Sequence, residues 1–127
     1  MMEFIFVGIG GFIGSCLRFG FNKTSNYFCL SFPFGTLFSN VIAGLAVGFI
    51  IGLEHQSFVI SPKTKSFFTT GLLGGLSTFS TFSMETVNMF GEGRYIAASG
   101  NIILNLGLSL LFVVIGMSLA RVLLKAD

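Results

Sequence analysis

The sequence predicts an all-α membrane protein, a single domain over residues 1–127 with four transmembrane helices. Two observations carry this. Apolar residues fill 53% of 127 positions and charged residues only 9%, where a soluble domain carries about 25% charge. The apolar residues also gather into four continuous runs, each at or above the roughly 18 residues that cross the hydrocarbon core, and the mean hydropathy is +0.90. In lipid only helices and closed barrels satisfy their backbone polar groups. Barrel strands alternate in segments of about ten residues, which these long runs do not do.

The first run spans Phe4 to Phe21. Its opening Met1-Met2-Glu3 lacks the basic start of a cleaved signal, and no small-residue cleavage site follows, so this helix is expected to stay. Gly10 and Gly14 lie four apart, a spacing that lets helix backbones approach closely. The stretch Gly8 to Gly14 is not a dinucleotide loop, because Ile13 occupies the last glycine site and no strand precedes it. Cys16 falls inside the run, and it and Cys29 are read as structural, without metal spacing. Asn22-Lys23-Thr24-Ser25-Asn26 reads as the start of a polar connection.

The second run, Phe34 to Leu53, follows Pro33 and places Gly44, Gly48 and Gly52 on one face. Thr36 and Asn40 are also four apart and share a face. An asparagine this deep either lines a path or holds helices together. Glu54-His55-Gln56-Ser57 and Ser61-Pro62-Lys63-Thr64-Lys65 bracket the next connection.

The third run, Phe67 to Phe90, carries the sharpest signal. Gly74-Gly75 weakens a helix, and Ser77, Thr78, Ser80, Thr81 and Ser83 follow as hydroxyls able to bond to freed carbonyls. A helix broken at mid-membrane is expected; the plain alternative is a continuous Ser/Thr-rich helix. Breaks of this kind are tolerated where they are buried or line a cavity, and their carbonyls can coordinate cations. Phe79 and Phe82 share a face. Among 17 phenylalanines a given ring is usually packing, although its positive edge can meet an anion.

Gly91-Glu92-Gly93-Arg94 connects to the fourth run, Tyr95 to Leu124. There Asn101, Asn105 and Ser109 form a stripe, either a water-accessible path or a hydrogen-bond ladder. Glu85 is the acid placed deep in a span, where such groups usually face a cavity or partner. Arg18 sits near the end of the first run and can snorkel to the interface.

This inventory excludes several classes. There is no Ser/His/Asp set, since the one histidine, His55, lies in a polar connection. There is no His/Cys/Asp cluster for a metal and no phosphate-cradling loop, so an enzyme is not expected. The net charge of +2 is scattered, so no nucleic-acid partner is expected. Hydroxyl and amide donors that replace a small ion's hydration fit a transport path better.

At these residues the sequence resembles the Fluc (CrcB) family of fluoride ion channels. Gly10 to Phe19 resembles its first-helix GGxxGxxxR[YF] pattern, and Gly35 to Gly44 its GTLxxNxxG pattern. Gly71 to Phe82 resembles GxxGGLTTFSTF, with Ser77 where threonine is usual. Asn105 fits the family's polar stripe. The resemblance implies passive fluoride export by an antiparallel, dual-topology homodimer with two pores, each built from both subunits, in the inner membrane of a microbe. It implies that Phe79 and Phe82 present ring edges to fluoride and that Asn40 donates to it. Thr36, Ser80, Ser83, Asn105 and Ser109 would be polar pore groups, with Arg18 near a vestibule and Glu85 beside the polar track. The carbonyls of Gly74 and Ser77 from each subunit would hold a structural sodium ion. The alternative is a small proton-coupled multidrug transporter of four helices. That class needs a carboxylate inside the first helix, whereas Glu3 stands outside the span.

Overall fold

The computed structural model describes residues 1–28 and 31–125. Its regular structure is helical: α1 (Met2–Phe28), α2 (Phe34–His55), α3 (residues 62–76), α4 (Phe79–Gly91) and α5 (Tyr95–Lys125). Three of these are long and apolar enough to cross a membrane: α1, α2 and α5. The third run is divided between α3 and α4. Phe4, Phe12, Phe19, Ile103, Leu110 and Val122 are exposed. Only 11% of the most apolar stretch of α1, and of α5, is buried. Such a surface is stable against lipid, not water, and the chain is a multi-pass membrane protein.

Glycine sets how the helices meet. On α2, an added Cβ at Gly44 would lie 2.8 Å from the Ser109 carbonyl oxygen of α5. One at Gly48 would overlap the Val113 carbonyl, and Gly116 is in the same position against Leu45. On α1, a Cβ at Gly10 would lie 2.5 Å from the Phe67 carbonyl, and one at Gly75 2.7 Å from the Gly11 carbonyl. Backbone therefore packs on backbone in two pairs, α2 with α5 and α1 with α3.

Two expectations about boundaries need correction. Helix α1 does not end at Phe21 but continues to Phe28. The polar residues expected to open a loop are instead the far end of a helix, and they face α2: Gly35 N–H donates to Ser25 Oγ at 3.0 Å. Helix α3 begins at Pro62, before Phe67, because Ser61 accepts from Thr64 N–H as an N-cap and proline fits the first turn. Lys65 of this turn pairs with Glu54 at 2.9 Å, closing the connection. Cys16 faces outward from the bundle and packs no core; Cys29 lies outside the described residues.

The interior of the third run also differs from expectation. Phe67–Leu73 is π-helical. The glycine pair does not open the helix, since Gly74 keeps right-handed helical angles. The chain turns extended at Ser77 and Thr78, with ψ of 152° and 125°. Gly75 serves the close approach to α1, and the interruption is imposed next door by side chains that compete for the backbone. At the other end of α4, Gly93 turns the chain at φ 75°, a conformation that suits glycine.

Candidate functional site

The interruption is built by Asn40 on α2. Thr78 N–H donates to Asn40 Oδ1 at 2.7 Å, and Asn40 Nδ2 donates to the Thr78 carbonyl at 3.2 Å. One amide thus takes the Thr78 N–H out of the helical ladder and adds a second bond to its carbonyl. In a continuous helix Thr78 N–H would go to the Gly74 carbonyl, so that carbonyl loses its donor. The Ser77 carbonyl loses its donor in the same way, because Thr81 N–H goes to Thr78 Oγ1 at 3.2 Å. Thr78 is thereby the N-cap of α4, a position that threonine fills well.

Beside the interruption lies a groove of about 400 Å³. It brings together Asn40, Phe79, Phe82, Asn105, Ser109, Gly74 and Ser77 from among the residues singled out in the sequence. The two rings share a face, with centroids 5.5 Å apart and planes tilted by 54°. Their settings differ: Phe82 is 6% exposed and Phe79 is 73% exposed. Phe82 belongs to the floor of the groove and Phe79 stands free at its edge.

Of the stripe on α5, two members form a ladder. Asn40 Nδ2 donates to Asn105 Oδ1 at 2.8 Å, and Asn105 Nδ2 donates to Asn101 Oδ1 at 2.8 Å and to the Asn101 carbonyl at 3.1 Å. Asn101 and Asn105 are buried, at 0% and 3% exposed. Both amide hydrogens of Asn40 are therefore engaged within the chain. Ser109 lines the groove itself.

The other candidates lie outside the groove lining. Thr36 is buried and donates to Glu85 Oε1 at 2.7 Å. The second oxygen, Glu85 Oε2, is buried without a hydrogen-bond partner among the described residues. Glu85 faces a separate cavity of about 230 Å³, shared with Asn26, Asn88, Glu92 and Arg94. Ser83 donates to the Phe79 carbonyl at 2.8 Å, and Ser80 Oγ lies 3.3 Å from Thr78 Oγ1. Arg18 is half-buried on α1, away from both cavities.

Two contributors went unread in the sequence. Thr86 lies four residues after Phe82 and accepts from Asn101 Nδ2 at 2.9 Å. Its signal was present, since positions 79, 82 and 86 share one face. Asn22, the second, had been assigned to a loop; Thr36 Oγ1 lies 3.5 Å from its Oδ1.

The sequence family described as CrcB-like protein, Camphor Resistance (CrcB), matches residues 5–117. The chain belongs to the CrcB-like family. Among the relatives of this CrcB-like chain is a protein of Clostridium perfringens (strain 13 / Type A), 49% identical over 120 residues, 94% of each chain. One of Clostridium novyi (strain NT) is 46% identical over 119 residues, 93% of each. One of Paraburkholderia xenovorans (strain LB400) is 39% identical over 117 residues, 92% of this chain and 93% of that one. Each relative is named "Fluoride-specific ion channel FluC".

Proposed function

We propose that this chain is a fluoride-selective ion channel, not an enzyme, that lets fluoride leave a microbial cell passively across the inner membrane. The observation that carries this is the 49% identity, over 94% of both chains, to a relative named as a fluoride-specific channel. The site suits the chemistry. Fluoride is small and strongly hydrated, and conduction requires groups that replace water without holding the ion. The groove offers ring edges, hydroxyls and amides, with no lysine or arginine in its lining. An aromatic edge carries partial positive charge and, unlike an ammonium group, holds an anion weakly.

In this reading Phe79 and Phe82 meet the ion, and Asn40, Asn105 and Ser109 form the wall beside them. Thr36, Ser80, Ser83 and Glu85 continue the polar route, and Arg18, which lines neither cavity of this single chain, would reach a vestibule only in the dimer. The working unit is an antiparallel, dual-topology homodimer with two pores. The exposed Phe79 ring and the thinly buried α1 and α5 support a second copy covering this surface. The charges support either insertion: with four spans, Lys63, Lys65, Arg121 and Lys125 fall on one side, and Lys23 and Arg94 on the other. So small an imbalance biases orientation weakly.

The implied sodium ion fits the residues present. Gly74 and Ser77 line the groove, and the carbonyls of both lack their helical donors. Two such carbonyls from each subunit would hold the ion, which when bound supplies positive charge that joins the two interruptions. The interruption would then lie at mid-membrane, on the twofold axis.

The test is fluoride release from liposomes loaded with potassium fluoride. Release is expected to be rapid and to require valinomycin, as uncompensated ion movement does. No release, or release driven by a proton gradient without valinomycin, would defeat the reading in favour of no transport or of a proton-coupled transporter.

A further inference from the structure

The polar contacts around α4 form a closed ring. Thr78 N–H donates to Asn40 Oδ1 at 2.7 Å, and Asn40 Nδ2 to Asn105 Oδ1 at 2.8 Å. Asn105 Nδ2 donates to Asn101 Oδ1 at 2.8 Å, and Asn101 Nδ2 to Thr86 Oγ1 at 2.9 Å. Thr86 Oγ1 then donates to the Phe82 carbonyl at 2.8 Å. The ring leaves α4 at its first turn, crosses α2 and α5, and returns to α4 two turns later.

Every bond in it runs in the same direction, and the two ends explain why. A backbone N–H can only donate and a backbone carbonyl can only accept. Amide orientation is ordinarily a matter of assignment. Here a flip of Asn105 would set nitrogen against the nitrogen of Asn40 and oxygen against the oxygen of Asn101. The fixed ends thus select one orientation for all three amides.

Helix α4 carries both ends of this ring. Its buried residues are Phe82, Thr86 and Met89, so little apolar surface holds it in place. The ring ties it at Thr78 and at Thr86, with Phe79 and Phe82 between the two ties. We infer that Thr86 and Asn101 are positioning residues for permeation: their hydrogen bond closes the ring that holds the phenylalanine-bearing turn of α4 against α5. Neither residue lines the groove, so their effect on an ion passes through the rings. The inference rests on the channel reading of Phe79 and Phe82.

The experiment compares two Thr86 variants of the full chain in fluoride release from liposomes. Thr86→Val keeps the shape and removes the hydroxyl; Thr86→Ser keeps the hydroxyl and removes a methyl. Flux is expected to fall about tenfold in Thr86→Val, as for one buried donor left unsatisfied, and to stay near that of the wild type in Thr86→Ser. Asn101→Leu removes the same bond from the other side, together with the acceptor of Asn105 Nδ2, and is expected to lose at least as much, which also covers a Thr86→Val protein that fails to fold. A packing role predicts the reverse order for the two Thr86 variants. Wild-type flux in Thr86→Val or Asn101→Leu, or equal losses in Thr86→Val and Thr86→Ser, would overturn the inference. A wild type that releases no fluoride defeats the channel reading instead. The ring is then judged by thermal stability: Thr86→Val and Asn101→Leu together should cost less than the sum of the two, and additive losses would refute it.

Discussion

Replacing Asn40 by aspartate keeps the shape of the side chain and changes what it can donate. The carboxylate can still accept from Thr78 N–H, which lies 2.7 Å from Oδ1 of the native asparagine. It can no longer donate to the Thr78 carbonyl or to Asn105 Oδ1, at 3.2 and 2.8 Å. Two oxygens that received a hydrogen now face a third oxygen, often charged. Polar bonds between helices in a membrane contribute about 0.6 kcal/mol each, up to about 1.7, so the two losses alone cost about 1–3 kcal/mol, and the oxygen–oxygen repulsion adds to this. Asn40→Asp should therefore fold, elute like the wild type and melt several degrees lower. It should also lose fluoride flux, because the displaced N-cap carries Phe79 and Phe82 with it. The paired assays are melting of the detergent-solubilised protein and fluoride-electrode recording of liposome efflux. Wild-type melting together with wild-type flux would refute the claim that this amide builds the interruption.

Three further outcomes follow from the same geometry. Gly48→Ala drives a Cβ into the Val113 backbone and should cost about 1–3 kcal/mol by overpacking; Gly107→Ala meets open space and should be neutral or slightly stabilising in a melting assay. Phe82→Ile keeps an apolar floor but removes the ring edge, so fluoride flux should stop while the melting temperature changes little; retained flux would remove Phe82 from the path. Replacing sodium by a large organic cation should lower the melting temperature if the carbonyls of Gly74 and Ser77 hold that ion, and an unchanged melt would argue against it.

The helices were legible because lipid leaves few alternatives: long apolar runs must be helices, and glycines four apart must bring backbones together. The ends were less legible. Asn22 and Ser25 look like a loop by composition, yet both face α2 from the last turns of α1, where polar contacts to Gly35 and Thr36 replace apolar burial. The interruption was read from Gly74-Gly75 on propensity, but propensity is a weak prior in a packed bundle. Its cause is Asn40, 38 residues away in sequence, and no local pattern reveals a clamp between two helices. The groove residues Asn40, Phe79, Phe82, Asn105 and Ser109 stood out as polar or paired positions in apolar runs. Thr86 did not, because a single threonine in a helix usually bonds to its own preceding turn, as this one also does through the Phe82 carbonyl.

The central claim is that the chain forms a channel selective for fluoride, and the reversal potential of the purified protein in a planar bilayer tests it most directly. Under a fluoride gradient the current is predicted to reverse at fluoride's equilibrium potential and to stay there when a chloride gradient is imposed. Reversal that follows chloride, or the absence of any current in fluoride, would contradict the account.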